Sequence, residues 1–176
     1  MKIGLCGTMS VGKTTLVNAL KETKQFKDYM FRTERSKYLM EQGIPLNTDS
    51  TLKGQTIFLA ERCAELIQTD IITDRTVIDV MAFTQNAKSI PYQDKDKFID
   101  YAKEFIREYD YIFYISSDGL PIEDNGVRET DEHYRDIIDF TITSFIRKYA
   151  YMMKNIETIK GSTEERIEQI LNITGL

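Results

Sequence analysis

Two cysteines, Cys6 and Cys63, are the only thiols in the chain, and their spacing suits no metal site. Two cysteines make no disulfide framework, so a reducing compartment is expected. Cys6 reads as a small apolar residue in a buried strand. Histidine is scarcer still. The single His133 falls on the entry turn of a long helix, where a surface residue with no role is expected. Basic charge is also short: 23 Lys and Arg stand against 28 Asp and Glu, a net charge of −5. That balance argues against a broad nucleic-acid surface. It does not exclude a local basic groove, or a phosphate site built from backbone N–H groups and a few arginines. No apolar run reaches the length of a membrane span, and no secretory or transit segment precedes the first strand. A cytoplasmic protein is expected. Repeats, low-complexity tracts and Pro/Gly/Ser linkers are absent as well, so residues 1–176 read as one domain.

What remains is an ordinary globular composition, 41% apolar and 29% charged. Short β-like runs alternate with amphipathic stretches, the pattern of a parallel sheet with crossover helices. Strands are expected at Lys2–Cys6, Asp28–Arg32, Asp70–Thr73, Tyr111–Ile115 and Ile156–Lys160. Helices are expected over Lys13–Glu22, Ser36–Gln42, Thr51–Thr69, Val77–Ala87, Lys95–Glu108 and Asp131–Met153. Gly43 stops the second of these, and Ser162 with Glu165 forms a capping box opening a last helix. On Thr51–Thr69, Leu52, Ile57, Leu59, Ala60, Ala64 and Ile67 are the candidate core positions. The fold class is α/β: a three-layer, doubly wound, parallel five-stranded sheet. Ligands in such sheets sit beyond the carboxyl ends of the strands.

The segment after the first strand is the most specific. Gly7-Thr8-Met9-Ser10-Val11-Gly12-Lys13-Thr14 fits the phosphate-loop pattern G-x-x-x-x-G-K-S/T without departure. Between strand and helix the chain must curl so that successive N–H groups face phosphate oxygens. Gly7 and Gly12 allow the backbone angles, and the helix N-terminus adds partial positive charge. Gly7, Ser10, Val11, Gly12, Lys13, Thr14 and Thr15 are therefore expected to bind ATP. In this reading Lys13 neutralises the β and γ phosphates and the Thr14 hydroxyl faces Mg2+. The guanine-reading tetrapeptide N-K-x-D is missing, and so is a second domain for a motor to drive. The length suits a small kinase.

Taken in order along the chain, the phosphate loop, Thr33-Glu34-Arg35-Ser36, Asp74-Arg75-Thr76, and Asp124-Asn125-Gly126-Val127-Arg128 with Arg135 resemble the small P-loop nucleoside and nucleotide kinases. The likeness is greatest to the nicotinamide-riboside-kinase-like subgroup that includes phage-encoded kinases. The resemblance spans essentially the whole chain. It implies that Asp74 sits beside the phosphate loop, holding the Mg2+ shell or taking a proton from the attacking hydroxyl. Arg75 would then face the acceptor or the transferring phosphoryl group. Thymidylate kinases carry a similar Asp-Arg step. The other reading of this pair is a salt bridge at a strand end.

Glu34 is expected at an acceptor sugar hydroxyl and Arg35 at an acceptor phosphate, against the alternative of first-turn charge and a surface arginine. Asp79 either touches the acceptor or lies on a solvated helix face. Residues 116–135 form a lid candidate from which Arg128 and Arg135 would swing onto the phosphates. Gly161 either lets the backbone approach the adenine edge or serves a plain strand-to-helix turn. For Tyr29, Phe31, Phe58 and Phe83, core packing is favoured over stacking on an acceptor base. The implied activity is transfer of the ATP γ-phosphoryl group to a nucleoside or nucleotide. Two alternatives stand beside it: a phage-type kinase of hydroxymethylated bases within DNA, which the acidic balance disfavours, and a regulatory ATPase or nucleotide sensor. Pocket shape selects the acceptor, and neither it nor the oligomeric state is written in these motifs.

Overall fold

The first strand, β1 (Lys2–Cys6), puts Ile3 and Leu5 on one face and Gly4 and Cys6 on the other. Gly4 is needed for close approach: a Cβ there would lie 2.5 Å from the Thr76 methyl and 2.7 Å from the ring of the buried Tyr109. In the computed structural model, which describes residues 1–33, 35–117 and 131–176, the chain continues through α1 (Lys13–Lys21), β2 (Met30–Arg32), α2 (Ser36–Glu41), α3 (Leu52–Glu65), β3 (Ile71–Asp74) and α4 (Val77–Asn86). It then runs through α5 (Tyr92–Ala102), β4 (Tyr111–Ile115), α6 (Glu132–Lys148), β5 (Ile156–Ile159) and α7 (Thr163–Thr174).

The five strands pair in parallel in the order β2-β3-β1-β4-β5. Strand order therefore reverses at β1, whose neighbours are β3 and β4, and the crevice at such a reversal is where α/β sheets bind ligands. Register brings the relevant ends together, with Leu5 opposite Asp74 and Cys6 opposite Tyr114. Helices α1 and α7 cover one face, where Leu16, Val17, Leu20 and Ile170 bury against Ile3, Leu5, Ile72, Phe113 and Ile159. Helices α3 to α6 cover the other, packing Leu59, Met81, Phe98 and Ile138 around Cys6, Ile112 and Tyr114. Each large aliphatic so removed from water contributes about 1.5–3 kcal/mol. The result is the expected three-layer architecture. Among the described residues no helix is long and apolar enough to cross a membrane.

Several boundaries differ from expectation. Helix α3 ends at Glu65 rather than Thr69, because the chain turns through Leu66–Asp70 to enter β3. Its buried face is Gly54, Gln55, Leu59, Arg62 and Glu65, while Leu52, Ala60, Ala64 and Ile67 are exposed. The expected helix over Lys95–Glu108 begins earlier, after Pro91, and passes into a 3-10 turn at Lys103–Glu108. The expected Asp131–Met153 helix is capped by Asp131, ends at Lys148, and is followed by a 3-10 turn at Ala150–Met152. Ser162 and Glu165 do form the capping box of α7.

Candidate functional site

The loop after β1 has the backbone that its glycines permit. Gly12 takes φ +81° at the start of α1, and Gly7 lies where a Cβ would meet the Ile115 carbonyl at 2.7 Å. Ser10, a non-glycine, also holds a positive φ of 60°. Lys13 is 6% exposed, and its Nζ donates to the Gly7 and Thr8 carbonyls at 2.7 and 2.6 Å. Burial, and then the Arg75 charge, lower its pKa, with Asp79 and Asp74 acting in the opposite sense. Thr14 donates its hydroxyl to Asp74 Oδ2, while Thr15 faces outward on α1.

Strand β3 delivers Asp74 to this loop. The residue is 1% exposed, and its Oδ1 is buried without a hydrogen-bond partner. Among the described residues no cluster of three or more His, Cys, Asp or Glu could hold a metal alone. One carboxylate and one hydroxyl are a donor set of the kind that suits Mg2+, an ion that shares its shell with substrate phosphates. The orphaned Oδ1 beside Thr14 fits that ion.

The next residue, Arg75, has φ +84°, an unfavourable conformation for a non-glycine. Its N–H donates to Leu5 O at 3.0 Å, and its guanidinium lies 4.9 Å from the Phe83 ring centroid. Arg75 lines two spaces at once. One is the phosphate-loop pocket, with Met9 to Thr14 and Asp74. The other is a narrow cavity of about 40 Å³ whose walls include Ser50, Gln55, Phe58, Val80 and Phe83. Phe83 belongs to the core, as expected, and Phe58 packs against it, while both also wall this cavity. Tyr29 and Phe31 pack instead against the α1/α7 layer.

Asp79 is not at an acceptor surface and not on a solvated face. It is fully buried, accepting from Gly7 N at 3.1 Å, Thr76 N at 2.7 Å and the Thr76 hydroxyl at 2.9 Å. It closes a capping box with Thr76 at the start of α4 and ties that helix to the phosphate loop. A carboxylate suits this place because every group facing it is a donor.

Arg135 is held against the fold rather than standing free beside the phosphate loop. It is 8% exposed, its Nη2 donates to Ser117 O at 2.9 Å, and its own carbonyl accepts the Thr8 hydroxyl at 3.2 Å. The residue anchors α6 to the loop. Arg35 does not line that cavity: it pairs with Glu61 at 3.1 Å, stacks on Tyr38 at 4.4 Å and borders a separate open space with Arg32 and Gln68. Gly161 has φ +94°, and a Cβ there would lie 2.3 Å from Glu165 Oε2, so the capping turn itself requires glycine. Glu34, Arg128 and most of the 116–135 lid candidate lie outside the described residues.

Two arginines were missed. Arg62 on α3 is 3% exposed; its Nη1 donates to the Asp74 carbonyl at 2.9 Å and its Nη2 to the buried Glu65 at 2.8 Å. Arg166 on α7 is 7% exposed, and its Nη1 donates to the Val11 carbonyl at 2.8 Å. Both grip a backbone carbonyl of the phosphate-loop pocket. Neither sits in a motif, and only a polar residue on an otherwise packed helix face could have signalled them.

A phosphate loop after β1, at the reversal of a 2-3-1-4-5 parallel sheet, is the P-loop NTPase fold of the nucleotide-kinase type. A family model described as an AAA domain (AAA_28) matches residues 2–166, and the chain belongs to that family. No curated protein matches it in sequence. Among solved structures it is similar to deoxyadenosine kinase from M. mycoides with dCMP and dCDP bound, at a TM-score of 0.72 and 20% identity over 99% of this chain and 98% of that one. It is also similar to NadR protein in complex with NR, at a TM-score of 0.70 and 16% identity, covering 99% of this chain and 51% of that one. The complex of NadR with NAD and AMP-PNP gives 0.67 and 14%, again covering about half of that chain (49%).

Proposed function

We propose that this protein is an ATP-dependent kinase that transfers the γ-phosphoryl group of ATP to a nucleoside or nucleotide. The observation that carries this reading is the position of Arg75, which lines both the phosphate-loop pocket and the Phe58/Phe83 cavity. A cation at the junction of a polyphosphate site and an aromatic-walled cavity stands where a phosphoryl group would pass from one to the other. Gln55, 3% exposed, gives that cavity an amide for a ring edge, and Phe58 and Phe83 give it apolar walls. The likeness to a deoxyadenosine kinase with dCMP bound supports an acceptor of this class.

In the proposed reaction Lys13 leaves the Gly7 and Thr8 carbonyls for the β and γ phosphates. Thr14 and Asp74 would hold Mg2+, which would supply screening of the phosphate charge. The acceptor hydroxyl oxygen bonds to the γ-phosphorus as the bond to the bridging oxygen breaks, and ADP leaves with the electron pair. Asp74 or Glu34 takes the hydroxyl proton. Arg75 neutralises charge on the group in flight, and Arg135 keeps the loop in register with α6. Because the cavity is narrow, an acceptor would enter only with outward movement of its walls. The test is incubation with γ-labelled ATP and a panel of nucleosides, mononucleotides, nicotinamide riboside and hydroxymethylated DNA. Label on a free nucleoside or mononucleotide is expected. Label on DNA, or only in inorganic phosphate, would replace this reading with one of its rivals.

A further inference from the structure

Arg166 is a cation in an unusual place. The side chain is more than nine-tenths buried, yet among the described residues no carboxylate pairs with it. Its Nε is buried without a hydrogen-bond partner, and burial alone lowers its pKa. Among the described residues its one side-chain bond goes to Val11 O, and a Cβ on Gly12 would lie 3.3 Å from its Nη1. The guanidinium thus lies against the back of the Val11–Gly12 peptide, and the glycine leaves room for it. A buried charge without a counter-ion costs stability unless something else repays it.

We infer that Arg166 is a positioning residue for the polyphosphate of the nucleotide, acting through the Val11–Gly12 peptide and through its own uncompensated charge. In a trans peptide the C=O and N–H point in opposite directions. Holding Val11 O from behind therefore directs Gly12 N–H forward, into the pocket that Val11 and Gly12 line. A guanidinium on the carbonyl also polarises the peptide, which strengthens the N–H as a donor. The bound anion completes the charge balance that Arg166 lacks. The arginine comes from α7, 155 residues along the chain from Val11, so the closing helix becomes part of the nucleotide site. The inference rests on the phosphate-loop reading above, but not on the identity of the acceptor.

The test compares wild type with Arg166→Met, Arg166→Gln and Arg166→Lys by thermal shift and calorimetry. The probes are Mg2+ with AMP-PNP, Mg2+ with inorganic tripolyphosphate, and adenosine alone. The decisive quantity is the ligand-induced gain in melting temperature over each variant's own ligand-free value, so that a change in basal stability cancels. In wild type both polyphosphates are expected to stabilise. In Arg166→Met and Arg166→Gln the affinity for both should fall roughly 10-fold to 100-fold, as for loss of one charge-assisted contact. Arg166→Lys, which keeps the charge, should recover most of it. Equal ligand-induced gains in wild type and the neutral variants would make Arg166 a structural residue and overturn the inference. So would loss of AMP-PNP binding with tripolyphosphate binding retained, which would place the arginine at the nucleoside. Failure of both neutral variants to fold would overturn it too. A wild type that responds to neither polyphosphate would instead defeat the phosphate-loop reading itself.

Discussion

Replacing Asp79 with alanine removes the acceptor of three buried donors at once: Gly7 N, Thr76 N and the Thr76 hydroxyl. The hydroxyl can rotate to another acceptor, but the two backbone N–H groups cannot. Each buried donor left unsatisfied costs about 1–3 kcal/mol, so the two together give a destabilisation of about 2–6 kcal/mol, while the Thr76 cap on Ile78 N remains. Asp79→Asn keeps one acceptor oxygen and turns an NH2 against a donor, so roughly half that loss is expected. Urea unfolding measures both. Because Gly7 begins the phosphate loop, affinity for Mg2+ with AMP-PNP should fall alongside stability in calorimetry at a temperature where the variant is folded. A loss of less than about 1 kcal/mol for Asp79→Ala, with nucleotide affinity unchanged, would refute the reasoning, because surface substitutions stay near ±0.5 kcal/mol.

Four further outcomes are expected. Lys13→Ala should lower turnover by about 10²-fold or more in steady-state assays while leaving the circular dichroism spectrum intact, the usual scale for losing one electrostatic contact in the transition state. Asp74→Asn should reduce kcat far more than it weakens ATP binding, since the amide keeps the shape but neither neutralises Mg2+ nor takes a proton; an unchanged kcat would leave Asp74 a strand-end residue. Arg62→Met strands the buried Glu65 and frees the Asp74 carbonyl, so denaturant titration should show a loss of about 3–5 kcal/mol. Burial raises the Glu65 pKa, with Arg62 opposing. The native state then holds a proton that the unfolded chain has released, so stability falls as pH rises from the ordinary glutamate range through the raised value. Glu65→Gln should flatten that segment of the stability–pH curve.

The phosphate loop and the strands at its sides were legible because their spacing is imposed locally: two glycines, a lysine and a hydroxyl between a buried strand and a helix. The three layers followed from the alternation of elements. Helix α3 was harder. Weighting apolar residues selects Leu59 correctly but also Ala60, Ala64 and Ile67, which are exposed, while Gln55, Arg62 and Glu65 are buried beside Leu59. A helix that walls a polar site inverts the usual pattern, and hydrophobic period alone cannot register the inversion. Asp79 did carry a signal, since Thr76-x-x-Asp79 is a helix-start signature of the capping-box kind. Arg135 reads in sequence as a lid arginine rather than an anchor, and Arg166 carries no signal. Each reaches the phosphate loop from a helix more than 100 positions away in the chain, and such contacts are set by packing rather than by neighbours in sequence.

In the proposed function the two spaces meeting at Arg75 are donor and acceptor sites of one transfer. Its most direct test is the stoichiometry of a single reaction, with ADP and phosphorylated acceptor quantified together as acceptor concentration is varied. One phosphorylated nucleoside or nucleotide per ADP, with ADP formation falling to a low hydrolytic rate when acceptor is omitted, is the expected result. ADP released at the same rate with and without acceptor, and no phosphorylated product, would contradict it.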